Sequence, residues 1–91
     1  MLYMVIENFK NGDPVPVYRR LRDQGRLVPD GLSYVSSWVD MPNARCFQVM
    51  ETDDSGLLDQ LTMNWNDLID FEVLPVVTSA EAAEAIRPQL T

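Results

Sequence analysis

The chain contains no histidine. Without one, no Ser-His-Asp or Cys-His nucleophile pair can form, and transition-metal sites built on His and Cys are excluded with it. There is one cysteine, Cys46, so an internal disulfide framework is impossible and a reducing, cytoplasmic setting is the expectation. The four glycines stand singly at turn and helix-end positions and compose no phosphate-binding loop. Basic residues are scarce, 7 against 14 acidic, and the net charge of −7 argues against nucleic acid or an anionic membrane as partner. No apolar run approaches the ~20 residues that span a bilayer. Met1 to Ile6 has no basic residue and meets Glu7 too early for a signal peptide. Asp53-Asp54-Ser55-Gly56 lacks calcium-loop spacing and reads as a helix cap. Neither a metal nor a cofactor is expected.

What is present is globular composition, 46% hydrophobic and 23% charged over 91 residues. That makes one small domain, residues 1–91, with no room for a second core. Folding at this size buries only about 60–65% of the surface exposed by the unfolded chain, so association with a second copy is a natural remedy.

Six elements and a tail follow from periodicity and punctuation. Leu2 to Phe9 is β-branched and aromatic in character and ends at Asn11-Gly12-Asp13-Pro14, a strong turn signal. Asp13 suits a helix N-cap and Pro14 the first helical position, and the helix runs to about Gly25. Val17, Tyr18 and Leu21 share one side of its wheel; Arg19, Arg22 and Arg26 fall opposite. Pro29-Asp30-Gly31 opens a second strand, Leu32 to Val39, and Asp40-Met41-Pro42-Asn43 turns the chain into a third, Arg45 to Thr52. Beyond Asp53-Asp54-Ser55, the residues Leu57, Leu58, Leu61, Trp65 and Leu68 lie on an arc of about 100°, the cleanest helical signal in the chain. Ile69 to Val77 forms a fourth strand. Thr78-Ser79-Ala80-Glu81 matches a capping box that opens a short Ala-rich helix, about 79–87, which Pro88 stops.

The order β-α-β-β-α-β predicts an α+β, ferredoxin-like subunit with a four-stranded antiparallel sheet and its helices on one face. A solvated sheet face alternates apolar with polar residues. Here both registers are apolar: Met4 and Ile6 against Tyr3 and Val5, Phe47 and Val49 against Cys46 and Met50. Helices cover only one face, so a second subunit's sheet is expected to cover the other. A homodimer is the expectation.

The segments MLYMVIENFKNGD, VYRRLRDQGRLVPDGLSYVSSWVD, RCFQVMETDD and WNDLIDFEVLPVVTSAEAA resemble a bacterial family of roughly ninety-residue domains of unknown function. That family is placed in the dimeric α/β-barrel superfamily, and the likeness runs to about Ile86. It implies a ferredoxin-like subunit and a dimer whose sheets pair as a barrel, and it implies no activity. Relatives across the superfamily include cofactor-independent monooxygenases, haem-degrading enzymes, lactone isomerases and stress-response domains. Fold alone does not select among them. Haem-handling members need an axial ligand, usually histidine, which is absent here.

Candidate site residues follow from strand alternation. If Phe47 and Val49 pack on the helices, then Cys46, Gln48 and Met50 point into the barrel. Tyr3, Val5 and Glu7 then join them from the first strand, Tyr34, Ser36 and Trp38 from the second, and Glu72 with Leu74 from the fourth. Glu7, Tyr34, Trp38, Gln48 and Glu72 become candidate ligand-binding residues of an aromatic-walled cavity. A desolvated glutamate there could act as general acid or base. The structural alternative is that these groups pair with an arginine or bond across a dimer interface. Trp65 reads as core, Trp38 as packing at a strand end, and Cys46 as a small apolar filler. Arg19, Arg20, Arg22 and Arg26 form either an anion patch or a solvated face, with Arg20, which flanks the apolar side, placed to reach a buried carboxylate. Three functions stay open: binding of a small apolar or aromatic ligand, a homodimeric interaction module without pocket chemistry, and a cofactor-independent monooxygenase- or isomerase-like enzyme.

Overall fold

The computed structural model describes residues 1–90. The elements are β1 (Leu2–Phe9), α1 (Val15–Gln24), β2 (Ser33–Asp40), β3 (Arg45–Glu51), α2 (Gly56–Trp65), β4 (Ile69–Val76) and α3 (Ser79–Ile86). The strands form one antiparallel sheet in the order β2-β3-β1-β4. This is the α+β, ferredoxin-like arrangement. Each βαβ unit crosses over a central strand, which places α1 and α2 on the same side.

Local chemistry sets the boundaries. The Asp13 carboxylate accepts the Val15 N–H at 3.0 Å, and the Pro14 carbonyl accepts from Tyr18, so the turn leads directly into α1. Gly25, at φ +75°, ends the helix in a conformation that favours glycine. Thr78 Oγ1 accepts the Glu81 N–H and donates to its carboxylate, both at 3.1 Å, which fixes the start of α3.

The core lies between the sheet and the two helices. Val5 and Met50 are fully buried in it, joined by Leu58, Leu61 and Trp65 of α2, Val17 of α1, and Phe9 and Ile69 at one end of the sheet. Leu57 packs at its margin, as does Leu68 in the turn beyond α2, so the four residues of the stripe that lie on the helix face the core as their spacing predicts.

The face assignment of β3 is a correction. Cys46, Gln48 and Met50, expected to face away from the helices, lie beneath them and are buried, and Val5 and Phe9 of β1 are buried on the same face beside the half-buried Tyr3 and Glu7. Phe47 and Val49, expected under the helices, lie on the opposite face with Leu2, Met4 and Ile6. Both registers are apolar, so alternation groups these residues without fixing which group lies under the helices.

The tail stands apart. No residue of α3 is buried, and Val77, Ile86 and Leu90 are exposed. The radius of gyration is 15.2 Å, against about 12 Å for a compact chain of this length.

Gly31, at φ +92°, precedes β2, and a Cβ there would meet Leu57 Cδ1 at 2.9 Å. Gly12, at φ +61°, has open space around it. Both positions strain an L residue by roughly 1–2 kcal/mol of left-handed backbone, and Gly31→Ala is expected to cost somewhat more than Gly12→Ala because the end of the Leu57 side chain must also give way. Equal losses in urea melts would refute the close packing of Gly31 on α2.

Candidate functional site

The cavity is built from the register of three strands. Glu7 of β1 pairs directly with Cys46 of β3, and Ser37 and Val39 of β2 pair with Gln48 and Cys46. Cross-strand neighbours on one face touch, so Glu7, Cys46, Gln48 and Ser37 form one polar strip across the helix-covered side. Above it, Val17, Tyr18 and Leu21 of α1 and Leu61 and Trp65 of α2 leave a cavity of about 200 Å³, closed at one end by Phe9 and Ile69. Phe9 and Tyr18 meet edge to face, 6.2 Å apart and at 88°, which stiffens that wall.

Burial dominates the electrostatics of the strip. It raises the Glu7 carboxyl above its ordinary 4.5, and the neighbouring Cys46 thiol and the Arg26 charge offset this only in part. Burial and the facing Glu7 carboxylate push the Cys46 thiol up to about 12. A thiol held so far from its thiolate is a poor nucleophile, so Cys46 acts as a filler and a weak donor beside Glu7. Gln48 accepts from Arg26 Nη1 at 3.3 Å and directs its amide at the Met50 sulfur, 3.2 Å away.

Arg26 stands at the mouth, held from behind. Its carbonyl accepts the Trp65 indole N–H at 2.9 Å, and the carbonyl of Leu27 accepts the Asn64 amide at the same distance. Leu27 has φ +55°, a left-handed conformation that costs a branched residue roughly 1–2 kcal/mol. Those two bonds from the end of α2 hold it there. The Arg26 guanidinium lies 4.0 Å over the Tyr34 ring, whose hydroxyl bonds to Ser37 Oγ at 2.6 Å.

The pattern of a domain of unknown function, DUF3303, matches residues 1–90. The chain belongs to the DUF3303 family. No curated protein and no solved structure matches it.

Of the five residues that alternation nominated in this DUF3303 chain, three converge: Glu7 and Gln48 line the cavity and Tyr34 carries the guanidinium at its mouth. Trp38 and Glu72 do not join them. A β-bulge explains Trp38: Tyr34 pairs with Met50 but Ser36 pairs with Val49, so Val35 is the extra residue and the phase of β2 inverts there. Trp38 consequently sits on the open face beside Phe47, 60% exposed. Glu72 pairs with Ile6, on that same open face, and is exposed.

Arg26 and Ser37 are the residues that sequence reasoning missed. The wheel placed Arg26 opposite Val17 and Leu21, but the helix has ended at Gln24 and Gly25 redirects the chain. Arg20 reaches a carboxylate, but an exposed one rather than the buried group expected: a bidentate pair with Asp67, at 2.8 and 2.6 Å, ties α1 to the turn that follows α2. Among the described residues, no cluster of His, Cys, Asp and Glu could hold a metal ion, and no helix is long and apolar enough to cross a membrane.

Because the folded state raises the Glu7 pKa, protonation of Glu7 favours folding. That contribution is full below about pH 4.5 and is lost as pH rises through the folded value. Asp40 and Asp67 are shifted the other way and act below 3.8, outside this window. In urea melts from pH 4 to 8, Glu7→Gln is expected to flatten the decline and to match or exceed the parent at pH 7. A Gln variant less stable at pH 7 would mean that the carboxylate is fully compensated.

Proposed function

We propose that this DUF3303 protein binds a small, largely apolar ligand in the cavity between α1, α2 and the sheet. One observation carries the reading: about 200 Å³ of space opens from the surface toward the core between the helices and the sheet, with mostly apolar walls and the Glu7 carboxyl among its lining groups. A domain this small has little stability to spare, and unfilled apolar space forfeits dispersion contacts. An apolar cavity of about 150 Å³ already accommodates benzene, so one or two fused rings suit this one. A few polar groups within an apolar wall are the usual composition of ligand sites. The cytoplasmic setting inferred from the single cysteine fits a soluble metabolite as ligand.

Thermal shift with planar aromatics tests this. Binding is expected to raise Tm with concentration, about 4–8 °C for each kcal/mol in a domain of this size. Val17→Phe, which fills the cavity from α1, is expected to fold and to abolish the shift. A flat response across neutral and charged aromatics would refute the reading, and so would an unchanged shift in Val17→Phe.

A second reading rests on the other face of the sheet. Leu2, Met4, Ile6, Phe47 and Val49 are only half-buried there, and Trp38 and Leu74 are exposed beside them. Soluble monomers rarely expose so continuous an apolar surface. We infer that a second copy covers it, sheet on sheet, as the resemblance to dimeric α/β barrels implies. Sedimentation is expected to give twice the 10.4 kDa chain mass, and Phe47→Glu to give a folded monomer. A parent that remains monomeric at micromolar concentration would refute the inference.

A further inference from the structure

Resting on the ligand-binding reading, we infer that the ligand is a flat apolar acid, with its rings in the cavity and its carboxylate on Arg26 at the mouth. The argument starts from how the cations are used. Lys10, Arg20, Arg22, Arg45 and Arg87 each lie within 4 Å of a carboxylate, on Asp70, Asp67, Asp23, Asp40 and Glu84. In a chain with twice as many acids as bases, pairing is the ordinary fate of a cation. Arg26 lines the cavity and has no carboxylate within that distance among the described residues. Its contacts are the Gln48 amide oxygen and the face of Tyr34, and Glu7, whose carboxyl feels its charge across the cavity, stays beyond ion-pair distance. A guanidinium carries five donors in a planar fork matched to a carboxylate, and one bond to Gln48 leaves most of them available.

Arg19 also lacks a carboxylate, but the hollow it lines with Pro16, Arg20, Asp23, Gln24 and Leu68 is shallow, open to solvent and already holds the Asp23 carboxylate. Arg26 differs in being fixed. Its backbone is gripped by Trp65, and the strained Leu27 that follows is gripped by Asn64. Backbone strain held in place by neighbouring side chains is the mark of a position that matters for function. The Tyr34 face then orients the guanidinium plane, so little side-chain freedom is lost when an anion arrives. The carboxylate belongs at the mouth because Glu7, further along the polar strip, disfavours a second anion beside it. A neutral polar substituent suits that inner end.

The test uses the full chain and two probes of one shape, 2-naphthoate and the uncharged 2-naphthamide, titrated by calorimetry at pH 7. Naphthoate is expected to bind at least tenfold more tightly, since a charge-assisted bidentate contact is worth about ten- to a hundredfold in affinity. Arg26→Gln is expected to remove that advantage while leaving naphthamide within about twofold, and Arg26→Lys to restore part of it. The Arg26 side chain is exposed and the Trp65 bond uses its backbone, so neither variant threatens folding. Equal binding of the two probes, or naphthoate affinity unchanged in Arg26→Gln, would overturn the anion assignment and leave the cavity reading standing. Binding of neither probe would overturn both.

Discussion

The sheet of this protein is apolar on both faces, and the chain supplies helices for only one. Everything else is arranged around that imbalance. Once α1 and α2 occupy one side, Val5, Cys46, Gln48 and Met50 lie beneath them and Ile6, Phe47 and Val49 do not. That second set is left on the outer face. There its burial depends on whatever covers the sheet, and in the proposed dimer that is the same set from a second copy. A small domain that leaves so much apolar strand surface on its outer face keeps its internal core thin. A thin core with two helices propped on it is also where a cavity survives.

The legible parts of the fold were those with a single period or a single chemical marker. The stripe on α2 admits one solution, and Leu58, Leu61 and Trp65 are buried accordingly. Asp13, Gly25 and Thr78 mark helix ends because each supplies a group or a conformation that the backbone needs. Strand phase was not legible. A sheet face is read from contrast between alternate positions, and in β1 and β3 the contrast is nearly nil. A one-residue insertion is worse, since it leaves no compositional trace: nothing about Val35 announces a bulge, yet it divides Tyr34 from Trp38. Glu7, Gln48 and Tyr34 came together in the structure on the face opposite to the one expected, because alternation groups residues correctly without saying which side they take.

Arg26 shows the other limit. Its place at the mouth is made by contacts far away in the chain, from Asn64 and Trp65 to the backbone at Leu27 and Arg26. Those bonds tie the segment between α1 and β2 to the end of α2, and the Arg20–Asp67 pair ties α1 to the same place. Arg20 also lies 5.3 Å from the Trp65 ring, so one indole touches both arginines, one through its face and one through its N–H. The end of α2 therefore acts as a shared anchor for both segments that frame the cavity. Loss of the Trp65 ring would loosen a wall and the mouth together, although its sequence position indicates only a core residue.

The distribution of polarity along the helix-covered face separates a packing role from a binding one. At one end Val5 and Met50 are sealed completely. Toward the other end, Glu7, Cys46, Gln48 and Ser37 replace aliphatic residues on adjacent strands, and they do so side by side rather than scattered. A structural polar network is closed, each member's bonds being spent on another member. Here Ser37 is spent on the Tyr34 hydroxyl, but the partners of Glu7 and Gln48 are weak ones: a thiol beside Glu7, a thioether on the Gln48 amide, one long bond from Arg26. The polar capacity of the strip exceeds what its own members use, and the surplus faces the cavity. A core built for stability alone would gain from replacing Glu7 by an aliphatic residue, since its burial already works against its charge. That cost is what a ligand contact at Glu7 would offset.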